Sequence, residues 1–251
     1  MLTSQRRKHL LDVLQREGQV IARVISDQLG VSEDTIRRDL RTLAQEGLCQ
    51  RVHGGALPAS PAMGTLAARQ GISIEAKRHI GEAAARMVQP GQVIFVDGGT
   101  TTTQLARSLP RDLHATVVTH SPAIAVELGQ HPHIDVVMIG GQLFKHSMVA
   151  VGAAAAEAIR RIRADIYFMG ACSLHIQAGI STGDLEEAHI KRMICEASAE
   201  TVVLASPEKL DTASPYTIVP LSEVDAIITV RDIPEEQVAP YRTAGLSVVR
   251  V

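Results

Sequence analysis

Two stretches of this 251-residue chain hold residue types whose spacing could do chemistry. Val96 to Ala106 reads VDGGTTTTQLA. Gly98 and Gly99 let the backbone approach a ligand closely, and the four threonines from Thr100 to Thr103 add hydroxyls that can donate hydrogen bonds. The run follows the apolar stretch Val93 to Val96 and opens a helical pattern, so the free amides and positive dipole end of that helix face the loop. An anion suits such a loop. It lacks the Gly-Lys-Ser/Thr of a nucleotide P-loop and the G-x-G-x-x-G spacing of a dinucleotide fold. Ordinary strand-to-helix turns also use Gly and Thr, so the run by itself leaves both readings open.

The second stretch begins at Ser32, an N-cap residue followed by Glu33 and Asp34 on the positive end of a helix dipole. At ~100° per residue, Ile36, Leu40 and Leu43 fall within about 60° of one another and must face a core. Asp34, Arg38 and Arg41 then lie nearly opposite, with Thr35, Arg37 and Thr42 on the flanks. An arginine fork matches guanine O6 and N7 in the major groove, and a threonine methyl can meet that of thymine. Other arginines would take backbone phosphates.

Such a helix needs a scaffold. Leu10, Val13 and Leu14 predict a first helix whose polar face includes Gln5, Arg6, Arg7, Lys8 and Arg16. Ile21, Val24, Ile25 and Leu29 predict a second, ended by Gly30 in a left-handed cap. After the third helix, Leu48 to Gly55 reads as a small hairpin carrying Arg51 and His53. Together these make a winged helix-turn-helix over residues 1–57. One reading of His53 is a local hydrogen bond beneath Gly54 and Gly55. The residues expected to meet DNA are Ser32, Thr35, Arg37, Arg38, Arg41, Arg51 and His53.

Residues 58–74, starting Pro-Ala-Ser-Pro-Ala-Met-Gly, read as a linker. From 75 to 251, apolar runs at Val93, Thr116, Val136, Ile166, Thr201, Ala226 and Ser247 alternate with helical stretches. That alternation predicts an α/β domain with a mainly parallel sheet, in which ligands bind at the carboxyl ends of strands.

Charge follows the same division. The first 57 residues hold nine Lys/Arg against seven Asp/Glu, and the remainder sixteen against twenty, within a net charge of −2. A basic head and an acidic body fit duplex DNA at the head alone. With 2% aromatic residues, stacking platforms for single strands have little material. Cys49, Cys172 and Cys195 are widely spaced, which supports neither a disulfide framework nor a zinc site. The expectation is no metal and no cofactor. The charged start and the absence of a long apolar stretch predict a cytoplasmic protein without a membrane span.

The segment VSEDTIRRDLRTLAQEGLCQRVHGGA resembles the recognition helix and wing of the DeoR family of bacterial repressors. This resemblance implies the other reading of His53, of equal weight, a place in the wing near the DNA backbone. FVDGGTTT, VVTHSPAIA, IGGQLF, DIYFMGA, GISTGDLEEAHIKRMI and VVLASPEKL resemble that family's effector domain, which is related in fold to sugar-phosphate isomerases and deaminases. The resemblance implies a repressor of a carbohydrate operon, a double-stranded operator, a homodimer or higher homo-oligomer, and a sugar phosphate that relieves repression. It places Asp97, Gly99, Thr100, Thr101, Thr102, Ser121, Gly140 and Gly141 around the effector, with Lys145, Lys191 and Lys209 as cationic partners. Among these lysines, Lys191 is the favoured one. Where the family pattern commonly has Asp, this chain has Ser206. An enzyme is the rival reading, with Asp184, Glu186, Glu187 and His189 as acid-base groups. Acidic residues at a helix start are favoured by the dipole anyway, so a non-enzyme is expected.

Overall fold

The computed structural model describes residues 2–251. The head contains α1 (Thr3–Glu17), β1 (Val20–Ile21), α2 (Ala22–Leu29), α3 (Glu33–Gln45), β2 (Cys49–Val52) and β3 (Gly55–Pro58). Gly18 and Gly30 end α1 and α2 with φ of 70° and 63°, the left-handed region where glycine has no Cβ penalty. The Ser32 hydroxyl accepts from the Thr35 amide at 3.2 Å and so caps α3. Leu10, Val13 and Leu14 of α1 meet Ile36, Leu40 and Leu43 of α3 in a core of their own.

The second helix differs from its expected pattern. Val20 and Ile21 form an antiparallel strand beside β3, giving a three-stranded wing sheet in the order β1-β3-β2. Ile21 and Val24 are consequently exposed, and Ala22 with Ile25 faces the core instead. Two β-branched residues just before the helix favour the strand.

Residues 58–74 are not a free tether. After β3 comes a 3-10 turn at Pro61–Met63, then α4 (Leu66–Arg69), leading into α5 (Ile74–Ala85). The Ser60 hydroxyl donates to the Cys172 carbonyl at 2.5 Å, the Ala213 amide donates to the Pro58 carbonyl at 3.2 Å, and Ala62 and Arg69 are buried. The segment is a strap packed across the body.

The body continues with β4 (Val93–Val96), α6 (Thr100–Ser108), β5 (Ala115–Thr119), α7 (Pro122–Leu128) and β6 (Ile134–Met138). A short hairpin follows, β7 (Gln142–Phe144) and β8 (Val149–Val151), then α8 (Ala153–Arg160), β9 (Ala164–Gly170), β10 (Ser173–His175), β11 (Gly179–Thr182) and α9 (Leu185–Glu196). The chain ends with β12 (Ser198–Leu204), β13 (Tyr216–Val219), β14 (Ala226–Thr229), α10 (Glu235–Thr243) and β15 (Ser247–Arg250). Seven strands make one sheet, β15-β14-β12-β9-β4-β5-β6, and every pair in it is parallel. β10, β11 and β13 form a small antiparallel sheet of their own.

The connection leaves β4 in one direction toward β5 and β6, whereas β9, β12, β14 and β15 build outward from its other side. The reversal falls between β4 and β9, and the crevice beyond their carboxyl ends is where an open parallel sheet can seat a ligand. Gly81 of α5 sits against α6 so closely that an added Cβ would lie 2.6 Å from the Leu105 amide nitrogen. This contact fixes the helix whose first turn borders the crevice.

Candidate functional site

On the head, α3 presents Arg37, Arg38 and Arg41 to solvent, with Thr35 half-buried beside them. Arg37 pairs with Glu33 at 2.6 Å and Arg38 with Asp34 at 3.3 Å, each one helical turn away. Exposed pairs of this kind are worth only about 0.3–0.5 kcal/mol, so DNA could recruit both guanidinium groups at little cost. Arg41 makes no ion pair among the described residues. Arg51 and His53 are exposed on the wing. They border a groove whose opposite wall is formed by body residues that include Gln177 and Pro215.

Below this face, Asp39 is buried and receives hydrogen bonds from Arg6 and, at 3.3 Å, from Arg7. Arg7 also donates to the Thr42 hydroxyl at 3.1 Å. These bonds fasten α1 across α3. They draw Arg6 out of the solvent face expected for it. The signal was in the sequence, because Asp39 falls on the apolar side of α3 and a buried carboxylate needs partners.

In the body, the crevice between β4 and β9 opens on the first turn of α6. Its walls include Thr100, Thr101 and Thr102, Lys191, Lys209, Lys77 and, from the strap, Ala62 and Arg69. First-turn amides have no intrahelical partners, so those of Thr100 to Thr102 are available to an anion. The Thr102 and Thr103 hydroxyls turn back onto the Gly99 carbonyl at 2.9 and 2.7 Å. Thr101 is differently used, its hydroxyl lying 3.4 Å from Lys209 Nζ.

Asp97 sits beneath this surface, fully buried. One carboxylate oxygen accepts from the Gly98 amide at 2.8 Å and faces His120 Nε2 at 2.8 Å, while the other accepts from the Gly170 amide at 2.8 Å and from Lys191. Burial opposes the charge on Asp97, but Lys191 and His120 outweigh it and hold the carboxyl well below its usual range. Lys191 is also buried; it donates to the Gly170 carbonyl at 2.7 Å and lies 3.5 Å from Glu187. Burial would lower its pKa, yet Asp97 and Glu187 raise it.

Lys209, Lys77 and Arg69 are placed otherwise. Burial pushes Lys209 down to about 8, against the pull of Glu208. Lys77 is lowered too, again chiefly by burial; it donates to the Arg69 carbonyl at 2.8 Å, with Glu208 at 4.0 Å. Arg69 is 9% exposed, and its buried Nε has no hydrogen-bond partner. A buried unpaired donor carries a desolvation penalty of about 1–3 kcal/mol that a ligand could relieve. Three cations thus converge, with Glu208 4.0 Å from one of them, Lys77.

The cleft is narrow, about 10 Å³, room for roughly one water. It adjoins a second cavity of about 120 Å³ lined by Met63, His146, Ser147, Thr182, Asp184 and Glu187, among others. Strap residues Ala62 and Arg69 wall both.

Comparison with known proteins decides the class. Residues 6–61 match the model of the DeoR-like helix-turn-helix domain, and residues 72–231 match that of the DeoR C terminal sensor domain. The chain belongs to the DeoR family. It is 33% identical to the HTH-type transcriptional regulator GlpR of Haloferax volcanii, over 99% of this chain and 98% of that protein. It is 29% identical to a putative aga operon transcriptional repressor of Escherichia coli O157:H7, over 99% of this chain and 94% of the relative. Among solved structures, ribose 5-phosphate isomerase A of Methanocaldococcus jannaschii aligns over 53% of this chain and 52% of its own, at 19% identity and a TM-score of 0.40. The full-length sorbitol operon regulator SorC of Klebsiella pneumoniae aligns over 84% and 91%, at 12% identity and a TM-score of 0.34.

In this DeoR-family chain the residues expected around the effector separate into three groups. Thr100, Thr101, Thr102 and Lys209 line the cleft, and Gly99 caps α6 beside them with φ of 150°. Asp97, Ser121 and Lys191 support the loop from below. Ser121 donates to the Met148 carbonyl at 3.2 Å, and a Cβ on Gly98 would approach its hydroxyl oxygen to 3.4 Å. Lys191 borders the cleft with its charge shared between Asp97 and Glu187, whereas Lys209 has no carboxylate within ion-pair distance among the described residues. Lys145, Gly140 and Gly141 lie off the cleft. Lys145 is exposed in the turn between β7 and β8, and Gly141 packs under the Val151 carbonyl.

Lys77 and Arg69 were missed by sequence reading because each stood in a segment assigned to another role. The next acid after Ser206 is Glu208, two residues on. Glu208 accepts from the Ser206 hydroxyl at 2.6 Å and from the Ser73 hydroxyl at 2.7 Å. Of the rival acid-base groups, Asp184 caps α9 by accepting from the Glu187 amide at 2.9 Å, Glu187 is held by Lys191, Ser147 and Thr182, and Glu186 and His189 face solvent.

All three cysteines are free and buried. Among the described residues, no group of three or more His, Cys, Asp or Glu is placed to hold a metal, and no helix is long and apolar enough to cross a membrane.

Proposed function

We propose that this regulator represses a carbohydrate-metabolism operon as a homo-oligomer, with α3 in the major groove, and that a phosphorylated sugar bound in the body relieves repression. The observation that carries the ligand reading is the convergence of Lys209, Lys77 and the unpartnered Arg69 on the first turn of α6. The phosphoryl group takes these cations and the free amides, and the sugar extends into the adjoining cavity, where Ser147, Thr182 and Asp184 offer hydroxyl partners.

The strap supports coupling between the two ends. A cleft with room for one water must widen to admit a phosphoryl group, and one of its walls is the strap that continues β3 of the wing. Lifting the strap changes the placement of Arg51 and His53. A ligand that favours one placement shifts the equilibrium by its differential affinity, about 1–3 kcal/mol in typical systems, or roughly 5- to 150-fold in DNA binding.

The test is a thermal-shift screen of the full chain against phosphorylated sugars, followed by operator binding with each hit. A ligand at 100 times its Kd should stabilise by about 2.7 kcal/mol. Stabilisation by a sugar phosphate that leaves operator affinity unchanged overturns the coupling. Turnover of a sugar phosphate above background overturns the regulator reading of the body.

A further inference from the structure

The wing does not stand clear of the body. Strands β2 and β3 pair Cys49 with Pro58 at the base of the wing and Val52 with Gly55 at its turn. The Pro58 carbonyl accepts from the Ala213 amide at 3.2 Å, which ties that base to the body. From there a groove of about 500 Å³ runs along β2, the outer strand of the wing sheet, from Gln50 to His53. Its opposite wall is formed by the turn between β10 and β11 together with residues in and around β13, and includes Ile176, Gln177 and Thr217. The body therefore rises beside the wing as far as the turn that carries His53.

The β10–β11 hairpin has a fixed tip. His175 is buried, and its Nδ1 accepts from the Gln177 amide at 3.2 Å and from the Ala178 amide at 3.3 Å. Burial lowers the pKa of His175 against the pull of Asp211, so Nδ1 remains an acceptor. Gly179 follows with φ of 70°, and a Cβ there would lie 2.6 Å from the Val219 carbonyl oxygen. Only glycine lets β11 start so close to β13. Ile176 and Gln177 are left exposed at the tip.

Charge limits what the groove can hold. Residues 58–251 carry sixteen Lys/Arg against twenty Asp/Glu, yet among the described residues no Asp or Glu lines the groove. Arg51 and His53 stand on the wing side, and the Gln177 amide and Thr217 hydroxyl on the body side. An acidic wall would repel a duplex held by the wing. A neutral wall with hydrogen-bond donors suits it, because phosphate oxygens accept from amides and hydroxyls as well as from guanidinium groups.

We propose that the β10–β11 hairpin is a second DNA-contacting element, set by the body against the phosphate backbone that the wing engages. The proposal rests on the reading that α3 and the wing hold the duplex. It also joins the two functions through one strand. β11 begins at Gly179 in the groove and ends at Thr182 in the cavity beside the cleft, a span of about 10 Å at ~3.3 Å per residue.

Added lysines test the contact, since each phosphate contact steepens the fall of log K with log salt by about 0.9. Gln177→Lys and Thr217→Lys place the charge in the body wall, both at exposed positions. Gln130→Lys, in an exposed turn after α7 and outside the groove, is the control. Anisotropy titrations follow the full-length proteins on a mixed-sequence DNA duplex at several salt concentrations. Gln177→Lys, or Thr217→Lys should the first fail to fold, should steepen the slope by about one and tighten binding roughly 5- to 10-fold near 0.1 M salt. The control should keep the wild-type slope. Folded variants no steeper than Gln130→Lys overturn the hairpin contact. So does a change of oligomeric state in sedimentation with DNA binding unaltered, which would give the groove to a second copy of the chain. If Arg41→Ala and Arg51→Ala also keep the wild-type slope and affinity, the reading of the head itself fails.

Discussion

Lys191 and Asp97 form a buried ion pair that joins the middle of α9 to the end of β4. The pair determines which lysine is free to meet a ligand. Lys191 also donates to the Gly170 carbonyl and lies 3.5 Å from Glu187, so its charge is shared between two carboxylates, whereas Lys209 has no carboxylate in ion-pair contact among the described residues.

Breaking that pair should unfold the body before it affects recognition. Lys191→Met strands the Asp97 carboxylate and Asp97→Asn strands the ammonium, each at a cost of about 3–5 kcal/mol in urea unfolding. The double variant should recover part of the loss, because neither member of the pair is then left alone, while Glu187 still loses its cation. A Lys191→Met protein of wild-type stability that has lost its ligand response would return Lys191 to the binding set.

Lys209 should behave in the opposite way. Lys209→Met removes a buried ammonium that has no carboxylate in ion-pair contact, so the unliganded protein should keep or gain stability. Phosphate affinity should fall roughly 10-fold or more, the value of one charge-assisted hydrogen bond. Calorimetry with a sugar phosphate measures the second effect and thermal unfolding the first. A large loss of stability would show that the lysine is structural.

The pH dependence follows from the same residue. Its folded pKa of about 8 lies below the ordinary 10.5, so between those values the unfolded chain binds more protons than the folded one. Stability of the unliganded protein should therefore rise with pH across that window. Ligand affinity should fall through the same range, since the protonated lysine is the form that binds. Around Lys209 stand Glu208, Lys77, Arg69 and Cys172, and comparison with Lys209→Met isolates its share. Parallel profiles for wild type and variant would assign the titration elsewhere.

On the head, Arg38→Ala should cost about 1–3 kcal/mol in specific DNA binding and leave ligand binding unchanged. If Arg41 meets a phosphate, Arg41→Ala should weaken all sequences alike and lower the salt slope by about one. Anisotropy titrations on specific and random duplexes at several salt concentrations distinguish these outcomes. Undiminished specific affinity in Arg38→Ala would place the reading face elsewhere.

Gly81→Ala tests how the anion loop is positioned. The new methyl would lie 2.6 Å from backbone atoms of Gln104 and Leu105, which a side-chain rotation cannot relieve. Overpacking of this kind costs about 1–3 kcal/mol and should push α6 away from α5. Lower thermal stability together with weaker phosphate binding is the expected pair of results; an unaffected protein would mean that the helices separate freely.

The sequence alone determined the local structure. Periodicity placed Ile36, Leu40 and Leu43 inward and the arginines outward, Ser32 and Gly30 marked helix ends, and the apolar runs located the strands of the parallel sheet. Each of these depends on neighbours a few residues away. The DGGTTTT loop was legible for the same reason, since strand, glycines and helix start are contiguous.

Tertiary structure alone decided how charges are shared. Lys191 and Lys209 look alike in sequence, yet a residue 94 positions from Lys191 consumes one of them, and burial without an ion-pair partner leaves the other free. Arg69 reaches the cleft only because the strap folds back over it, which a stretch rich in Pro, Gly and small residues does not announce, and Lys77 enters it from the first turn of α5. Glu208 is held by hydrogen bonds from Ser206 and from Ser73, 135 positions away. Electrostatic partnership depends on distance in space and on exclusion of water, and sequence spacing fixes neither.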